Sequence, residues 1–462
     1  FHIAGFIVVA LGCGLFTNQI ILSDFMEEHQ INIRMFRPME SYQKYGGVLT
    51  FARSVGYAVV KKPEGYTTAK VDQIIQEYEK KSANAQQSTA KQYPNIITVV
   101  NETFADIKVL GNFKTNEDYM PYFHSLKKNC VTGYTYASIV GGQTANTEFE
   151  LLTGNTLGFL SAGTTAFQLY IHGQMPSLVS NLKAEGYSGN KAMHPFNPYN
   201  YNRPAVYKDF GFTDFIDKFD FPKNVKRVRE YISDEANVDC IISEYEKNRK
   251  KTDQPFYMYN MTIQNHSPYD KDAANFKQPI KIESSKYDAE ANRYLNLIKY
   301  SDDSLKQLTS YFEKCKEPTI ILFLGDHQPR LTDEFMNKIT NGQYQTWSSE
   351  QMMKRYQVPF VIWANYDIKE QHIEKTSMNY IQSILTKTAG VKMTGYQRFL
   401  NEVRKEVPTI TSQGYWGKNG KFYQINDKGS PYYGIIQKYR MIQYNMMFDK
   451  KNRRDSFFEV SK

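Results

Sequence analysis

The sequence predicts an α/β protein, a layered central sheet with helices on both faces. Three observations carry that prediction. Apolar runs of strand length recur: "NIITVV", "PFYMYNMT", "TIILFLG" and "VPFVIWANY". Between them lie segments of helical period, such as "MPSLVSNLKAEGY" and "AEANRYLNLIKYSDDSLKQLTSYFEKC", and such alternation gives a layered sheet. The strand-like runs are apolar at successive positions, as strands covered on both faces must be. Three of them also halt on polar groups: Glu102, the pair Asn265–His266, and the pair Asp326–His327. In open α/β sheets the carboxyl ends of the strands form the rim where ligands bind.

Taken in order, the chain begins with "FHIAGFIVVALGCGLF", apolar apart from His2 and extended by "TNQIIL". Its length is close to the roughly 20 residues a bilayer-spanning helix needs. No basic flank marks it as a signal peptide. Residues 1–22 are therefore expected to be the last transmembrane helix of a multi-pass membrane region, with a buried core helix as the alternative. Residues 23–92 are polar and helix-prone: "DFMEEHQINIRMF", "YGGVLTFARSVGYAVV" and "TTAKVDQIIQEYEKKSANAQQSTAKQ". Pro63 and Gly65 break the second from the third. This reads as a juxtamembrane helical connector, whose amphipathic middle piece lies against a membrane or packs on the main domain.

Residues 93–400 hold the strand–helix alternation and form the expected catalytic domain. "SMNYIQSILTKTAG" closes it as a helix ending at Gly390. Residues 401–462 form a supporting segment: a helix in "GYQRFLNEVRKEVPTI", a hairpin in "GKFYQIND", then another helix.

At 462 residues the chain can bury a large core and holds one large domain plus extras. The net charge of +9 suits an anionic partner such as an acidic membrane surface, which would help hold the domain there. A nucleic-acid partner is not expected. No zinc-finger spacing, RNA-binding signature or concentrated basic helix is present, and the one basic cluster is the short "DKKNRRD". Cys13, Cys130, Cys240 and Cys315 are far apart and suggest neither a disulfide framework nor a cysteine zinc site. The 35 Tyr and 29 Phe are common in domains that handle sugars or lipid headgroups.

The chemistry concentrates at the strand ends. A Glu, an Asp and a His delivered to one rim are a competent set for Mn²⁺, Mg²⁺ or Zn²⁺. Each residue alone has an ordinary structural reading, as a solvated carboxylate or a hydrogen-bonding imidazole. In "VGGQTANTEFE", Gly141 and Gly142 permit close approach to a ligand. Thr144 then precedes a helix whose N-terminal amides can receive an oxyanion. An N-cap role for Thr144 or Asn146, with Glu148 in the first turn, is the simpler alternative.

Five stretches occur in the order seen in one family: "PNIITVVNETF", "GGQTANTEFELLTGNT", "MHPFNPYNYNRPAVYKDFGFTDFID", "YNMTIQNHSPY" and "LFLGDHQP". Over residues 94–395 the chain resembles the lipoteichoic acid synthases, phosphoglycerol transferases of the sulfatase and alkaline phosphatase superfamily. The resemblance implies a central mixed sheet of alkaline phosphatase type with helices on both faces, and a membrane-anchored enzyme whose catalytic domain faces outward on a Gram-positive cell. It implies that Glu102, Thr144, Asp326 and His327 bind one divalent ion, Mn²⁺ first and Mg²⁺ or Zn²⁺ as alternatives. Thr144 becomes the nucleophile and His266 contacts substrate and protonates the leaving alkoxide. His194 and Arg203 fall on headgroup positions. Tyr201 stands where the family has a tryptophan, and Phe196 where it has a polar residue; Asn197 offers a replacement contact. The implied reaction moves glycerol phosphate from phosphatidylglycerol to a cell-surface glycan, glycolipid or polymer through a threonine-bound intermediate. Phosphoethanolamine transfer, phosphodiester hydrolysis and a non-catalytic glycan- or lipid-binding relic are the alternatives. Sulfate-ester hydrolysis is not expected, because the Cys/Ser-x-Pro-x-Arg maturation motif is missing around Thr144.

Overall fold

The apolar runs become neighbouring strands of one sheet. The computed structural model describes residues 2–21, 38–58, 60–82, 92–283, 288–342 and 344–460. In chain order the strands are β1 (Asn95–Asn101), β2 (Cys130–Tyr136), β3 (Ser188–His194), β4 (Asp214–Asp217), β5 (Arg227–Val228), β6 (Tyr231–Ile232), β7 (Phe256–Met261), β8 (Thr319–Gly325), β9 (Gln357–Ala364), β10 (Gln371–Ser377), β11 (Thr409–Thr411), β12 (Gly414–Trp416) and β13 (Phe422–Tyr423). Eight form the main sheet, ordered β10-β2-β9-β8-β1-β7-β3-β4; β5 and β6 make a hairpin, and β11 to β13 a small separate sheet. Only β9 runs against its neighbours in the main sheet; the remaining pairs are parallel. The sheet is therefore mixed, with β8, β1 and β7 side by side at its centre.

The described helices of ten residues or more are α1 (His2–Phe16), α2 (Pro38–Ala58), α3 (Thr68–Ser82), α4 (Thr144–Thr153), α5 (Asp234–Arg249), α6 (Ala289–Phe312), α7 (Met378–Thr388), α8 (Gly395–Glu406) and α9 (Tyr433–Met447). Side chains alternate across a strand, and β1 divides its own accordingly. Ile96 and Val100 join a core with residues of α4, α7, α8 and α9. Ile97 and Val99 join a second core with residues of α5 and α6. Burying each such side chain contributes roughly 1.5–3 kcal/mol, so both faces hold the layers together. The stretch that begins "AEANRYLNLIKY" forms the single helix α6, amphipathic along its length.

The N-terminal expectation is corrected. No helix among the described residues is long and apolar enough to cross a membrane, so a multi-pass membrane protein is not supported. The α-helix of "HIAGFIVVALGCGLF" has 15 residues and then widens into a π-helical turn, Thr17–Ile21. Phe1 and Leu22, the "DFMEEHQINIRMF" stretch, and the "ANAQQSTAK" tail of the connector lie outside the described residues.

The rest of the connector packs on the main body. The Tyr170 hydroxyl donates to the Tyr57 carbonyl of α2 at 2.8 Å. On α3, Tyr78 meets Phe399 of α8 edge to face at 4.7 Å. Asp72 and Glu77 pair with Arg454 and Lys438. The C-terminal hairpin runs Gly414 to Tyr423, earlier than "GKFYQIND".

Candidate active site

The site is assembled by the ends of β1 and β8. Glu102 follows β1 and is 3% exposed; Asp326 and His327 follow β8 and are 0% and 2% exposed. Parallel pairing in register, with Asn101 opposite Gly325, forces these neighbours of the last paired residues together. Asp326 Oδ1 accepts from the backbone amides of Thr103 at 2.7 Å and His327 at 2.8 Å. That leaves Oδ2 facing His327 Nε2 at 3.2 Å, with Glu102 Oε1 3.8 Å from the same nitrogen. His327 Nδ1 is 3.0 Å from the Gln328 carbonyl, which places the ring proton on Nδ1 and leaves a lone pair on Nε2. Asp326 Oδ2 and His327 Nε2 are thus acceptors pointed at each other, and both are buried with no hydrogen-bond partner.

Such an arrangement is costly unless a cation lies between the groups. Burial first, and Asp326 second, push the Glu102 carboxyl up to about 8. Among the described residues, Glu102, Asp326 and His327 are the one group of this kind whose ligand atoms all lie within 4.8 Å of one another. Two carboxylates and an imidazole fit a divalent cation.

Thr144 enters from the loop after β2. Gly141, Gly142 and Gln143 all have positive φ, at 67°, 140° and 67°, so this loop turns sharply. A Cβ on Gly141 would come within 3.0 Å of Arg330, and the Gly141 amide donates to the Gln328 carbonyl at 2.9 Å. The loop is thereby fastened to the β8 end. Thr144 is the first residue of α4, not the residue before it, and the cap Gln143 makes no side-chain hydrogen bond. The Thr144 hydroxyl donates to Glu102 Oε2 at 3.4 Å. Thr147, one turn on, donates to the Asp326 carbonyl at 2.8 Å.

A cleft of about 160 Å³ covers these groups, lined among others by Thr144, His194, Phe196, Tyr201, Arg203 and His266. His194 ends β3, and its Nδ1 lies 2.9 Å from the Met261 carbonyl. Burial first, and then the charge of Arg203, hold it well below the ordinary histidine range. Arg203 is 1% exposed and donates through Nε and Nη2 to Glu148 Oε1 at 3.1 and 2.7 Å. The Tyr201 ring lies under its guanidinium at 5.1 Å. His266 stacks on Phe196, ring centroids 6.3 Å apart. Asn197 does not join the lining, where Asn200 stands instead; its side chain accepts from the Tyr199 amide at 3.2 Å and closes the local turn.

Several supporting contacts here were not read from the sequence. Glu148 also accepts from the hydroxyls of Tyr207 and Tyr259, a buried support beneath Arg203. Arg229 donates to the carbonyls of Gln264, His266 and Pro268 at 2.7–2.8 Å and fixes the His266 loop. The Asn265 side chain anchors that loop from below, donating to Asn101 and Ser301. The signal for Glu148 was available: it lies in "QTANTEFE", in the first turns of α4. A roomier cleft of about 510 Å³ beside β2 and β10 is lined by His124, Thr132, Tyr134 and His372. His124 there is paired with Asp118 at 2.7 Å and lies 3.9 Å from Asp106.

The sulfatase family profile matches residues 94–391. The chain is a member of the sulfatase family. The match covers β1 to the end of α7, and so every strand end that builds the site. A protein of Rhizobium meliloti (strain 1021), whose name assigns it to cyclic beta-1,2-glucan modification, is 31% identical over 433 residues, covering 92% of this chain and 65% of that protein. The lipoteichoic acid synthase-like YvgJ of Bacillus subtilis (strain 168) is 27% identical over 237 residues, covering 50% of this chain and 36% of that protein. The chain therefore spans less than two thirds of the length of either relative. Among solved structures, a Streptococcus pyogenes phosphoglycerol transferase, GacH, in complex with sn-glycerol-1-phosphate superposes with a TM-score of 0.70 at 20% identity. That superposition covers 87% of this chain and all of the other. Within the sulfatase family, the alkaline phosphatase-like fold expected from the sequence is the fold observed. Family membership defines the scaffold, while the ester acted on must be argued from the site.

Proposed function

We propose that this sulfatase-family chain is a metal-dependent phosphoglycerol transferase. It would move glycerol phosphate from phosphatidylglycerol to a glycan or polymer hydroxyl through a Thr144-bound intermediate. The observation that carries the reading is the Thr144 hydroxyl at a helix N-terminus, hydrogen-bonded to one member of a buried Glu–Asp–His set. The names of the relatives, one concerned with a glucan and one with lipoteichoic acid synthesis, support the substrate class.

Glu102, Asp326 and His327, with Thr144 Oγ1, would hold one divalent ion, Mn²⁺ by preference. Once bound, it would neutralise charge on the phosphoryl oxygens and favour ionisation of the threonine. In the first half-reaction Thr144 Oγ1 forms a bond to phosphorus and gives up its proton toward Glu102 Oε2. The bond from phosphorus to the diacylglycerol oxygen breaks, and that oxygen takes a proton from His266. In the second, His266 receives the proton of the acceptor hydroxyl as that oxygen bonds to phosphorus. The Thr144–phosphorus bond breaks and Thr144 recovers its proton. His194, Tyr201 and Arg203 line the space for the glycerol phosphate group, and Arg203 is held for phosphate by Glu148 behind it.

The test is incubation with phosphatidylglycerol and Mn²⁺. Diacylglycerol should appear, and mass spectrometry should find a glycerophosphoryl group on the peptide bearing Thr144. No diacylglycerol release with Mn²⁺, Mg²⁺ or Zn²⁺ would reject the reading.

A further inference from the structure

Beyond residue 60, two large apolar or aromatic side chains among the described residues stand open to solvent: Tyr199 at 79% and Phe219 at 74% exposure. Tyr199 lies on the loop after β3 and Phe219 on the loop after β4, and those strands pair in parallel with His194 opposite Asp217. Both loops therefore leave the sheet at the same rim as the catalytic groups. Exposed aromatics gathered beside a cleft are a feature of binding surfaces, whereas scattered ones are not.

Phe219 borders a groove of about 360 Å³ that also involves Phe196, Lys218, Arg227, Glu230 and Tyr231. Phe196 is the shared wall, since it lines the catalytic cleft as well. Phe196, Tyr231 and His266 form one aromatic cluster between the groove and the catalytic cleft. Phe196 stacks near His266 and tilts against Tyr231 at 6.1 Å, and Tyr231 lies 5.8 Å from His266. Lys218 Nζ sits 4.9 Å over the Phe219 ring and 5.9 Å over the Phe196 ring. The hairpin β5–β6 that carries Arg227 and Tyr231 is tied to the His266 loop by Arg229. One wall of the groove is thus mechanically part of the catalytic cleft.

The geometry points to an acceptor subsite in this groove, one that takes the sugar rings of a glycan and presents a hydroxyl past Phe196 to the catalytic cleft. An open aromatic face offers apolar area to the flat, C–H-lined face of a pyranose ring, while Lys218, Arg227 and Glu230 supply donors and acceptors for its hydroxyls. A polyol phosphate chain has no such ring face and would use the cations alone. The inference rests on the phosphoglycerol transfer reading above, for which it supplies the acceptor class.

Two measurements keep the two readings separable. The first is direct binding of a short β-linked gluco-oligosaccharide to the full chain, followed by calorimetry and by protein NMR, with no donor present. Wild type should bind, Phe219→Ala should weaken binding about tenfold, and Tyr199→Ala should weaken it less; the loss of a single aromatic contact has this size. The second compares transfer to the oligosaccharide with transfer to water from the same donor. Phe219→Ala should raise KM for the oligosaccharide about tenfold while leaving the hydrolysis rate unchanged. Phe219 is exposed, so this variant keeps the fold, and a thermal melt checks it. Absence of oligosaccharide binding by wild type overturns the subsite, as does a Phe219→Ala variant with unaltered binding. Sensitivity to Lys218→Ala but not to Phe219→Ala also overturns it, in favour of an anionic acceptor. Oligosaccharide binding that depends on Phe219, without any phosphatidylglycerol turnover, upholds the subsite and rejects the donor.

Discussion

Glu102 and Glu148 are both buried carboxylates, at 3% and 0% exposure, and both belong to the structure around Thr144. Their surroundings are opposite. Glu148 faces a guanidinium and two tyrosine hydroxyls, so its charge is neutralised and its oxygens are satisfied. Glu102 faces a second carboxylate and the lone pair of an imidazole, and burial beside Asp326 pushes it up to about 8. A protein that completes one buried carboxylate from its own side chains and leaves another beside a second carboxylate offers a support in one place and a candidate cation site in the other.

Replacing the group that Glu102 contacts should have the largest effect. Thr144→Ala is expected to cut turnover by roughly a thousandfold or more while far-UV circular dichroism and the melting curve stay as in wild type. Retention of normal turnover would remove Thr144 from the chemistry. Next is the satisfied partner. Glu148→Gln should lower stability by about 3–5 kcal/mol, because it leaves Arg203 buried without a counter-charge. The urea midpoint reports it, and further replacement of Arg203 by Met should recover part of the loss.

A third carboxylate sharpens the contrast through pH. Glu150 accepts from Ser138, Thr156 and the Leu157 amide through Oε1, while its Oε2 has no partner. Burial pushes it up from 4.5 to about 7. Its proton is held more tightly in the folded state than in the unfolded one. The stability it contributes is therefore present below about 4.5 and is lost as pH rises to about 7 and beyond. That loss amounts to about 3 kcal/mol. Glu150→Gln should flatten this part of the stability–pH curve, and an unchanged slope in chemical denaturation would contradict it. The smallest effect is expected at Glu102 itself. Without metal, Glu102→Gln should stabilise the fold by about 2 kcal/mol, because it removes a carboxylate held against another. Titration calorimetry with Mn²⁺ should show the affinity lost in the same variant. A metal-free Glu102→Gln protein that melts below wild type would break the comparison.

The central strands were readable because they are buried on both faces. The runs that became β1, β7, β8 and β9 are nearly continuous apolar sequence, and their ends match the observed ends to within a residue or two. Strands β3, β4 and β10 carry no such signal. β10, "QHIEKTS", is an edge strand with four exposed residues out of seven, held by its pairing with β2 and not by its own propensity. β3, "SGNKAMH", carries a register shift at Gly189–Lys191 and a positive φ at Asn190, an irregularity that no period-2 pattern displays. β2 depends on Gly133, where a Cβ would lie 2.0 Å from the Ile373 carbonyl oxygen, a close crossing visible only once β10 is beside it. The N-terminal stretch misled because composition reports hydrophobicity, while crossing a bilayer also requires a long apolar helix, and no helix among the described residues is long and apolar enough.

By itself the sequence determined that carboxylates and imidazoles stand at the ends of buried strands and that a glycine pair precedes Thr144, because local pattern dictates where strands stop and where the chain can turn. It also carried family membership. Only the tertiary structure decided that β8, β1 and β7 lie side by side, that Arg203 is completed by Glu148, and that Phe196 divides two adjoining clefts. Those contacts join residues far apart along the chain, and their energy depends on the packing of the whole sheet, which no single segment encodes.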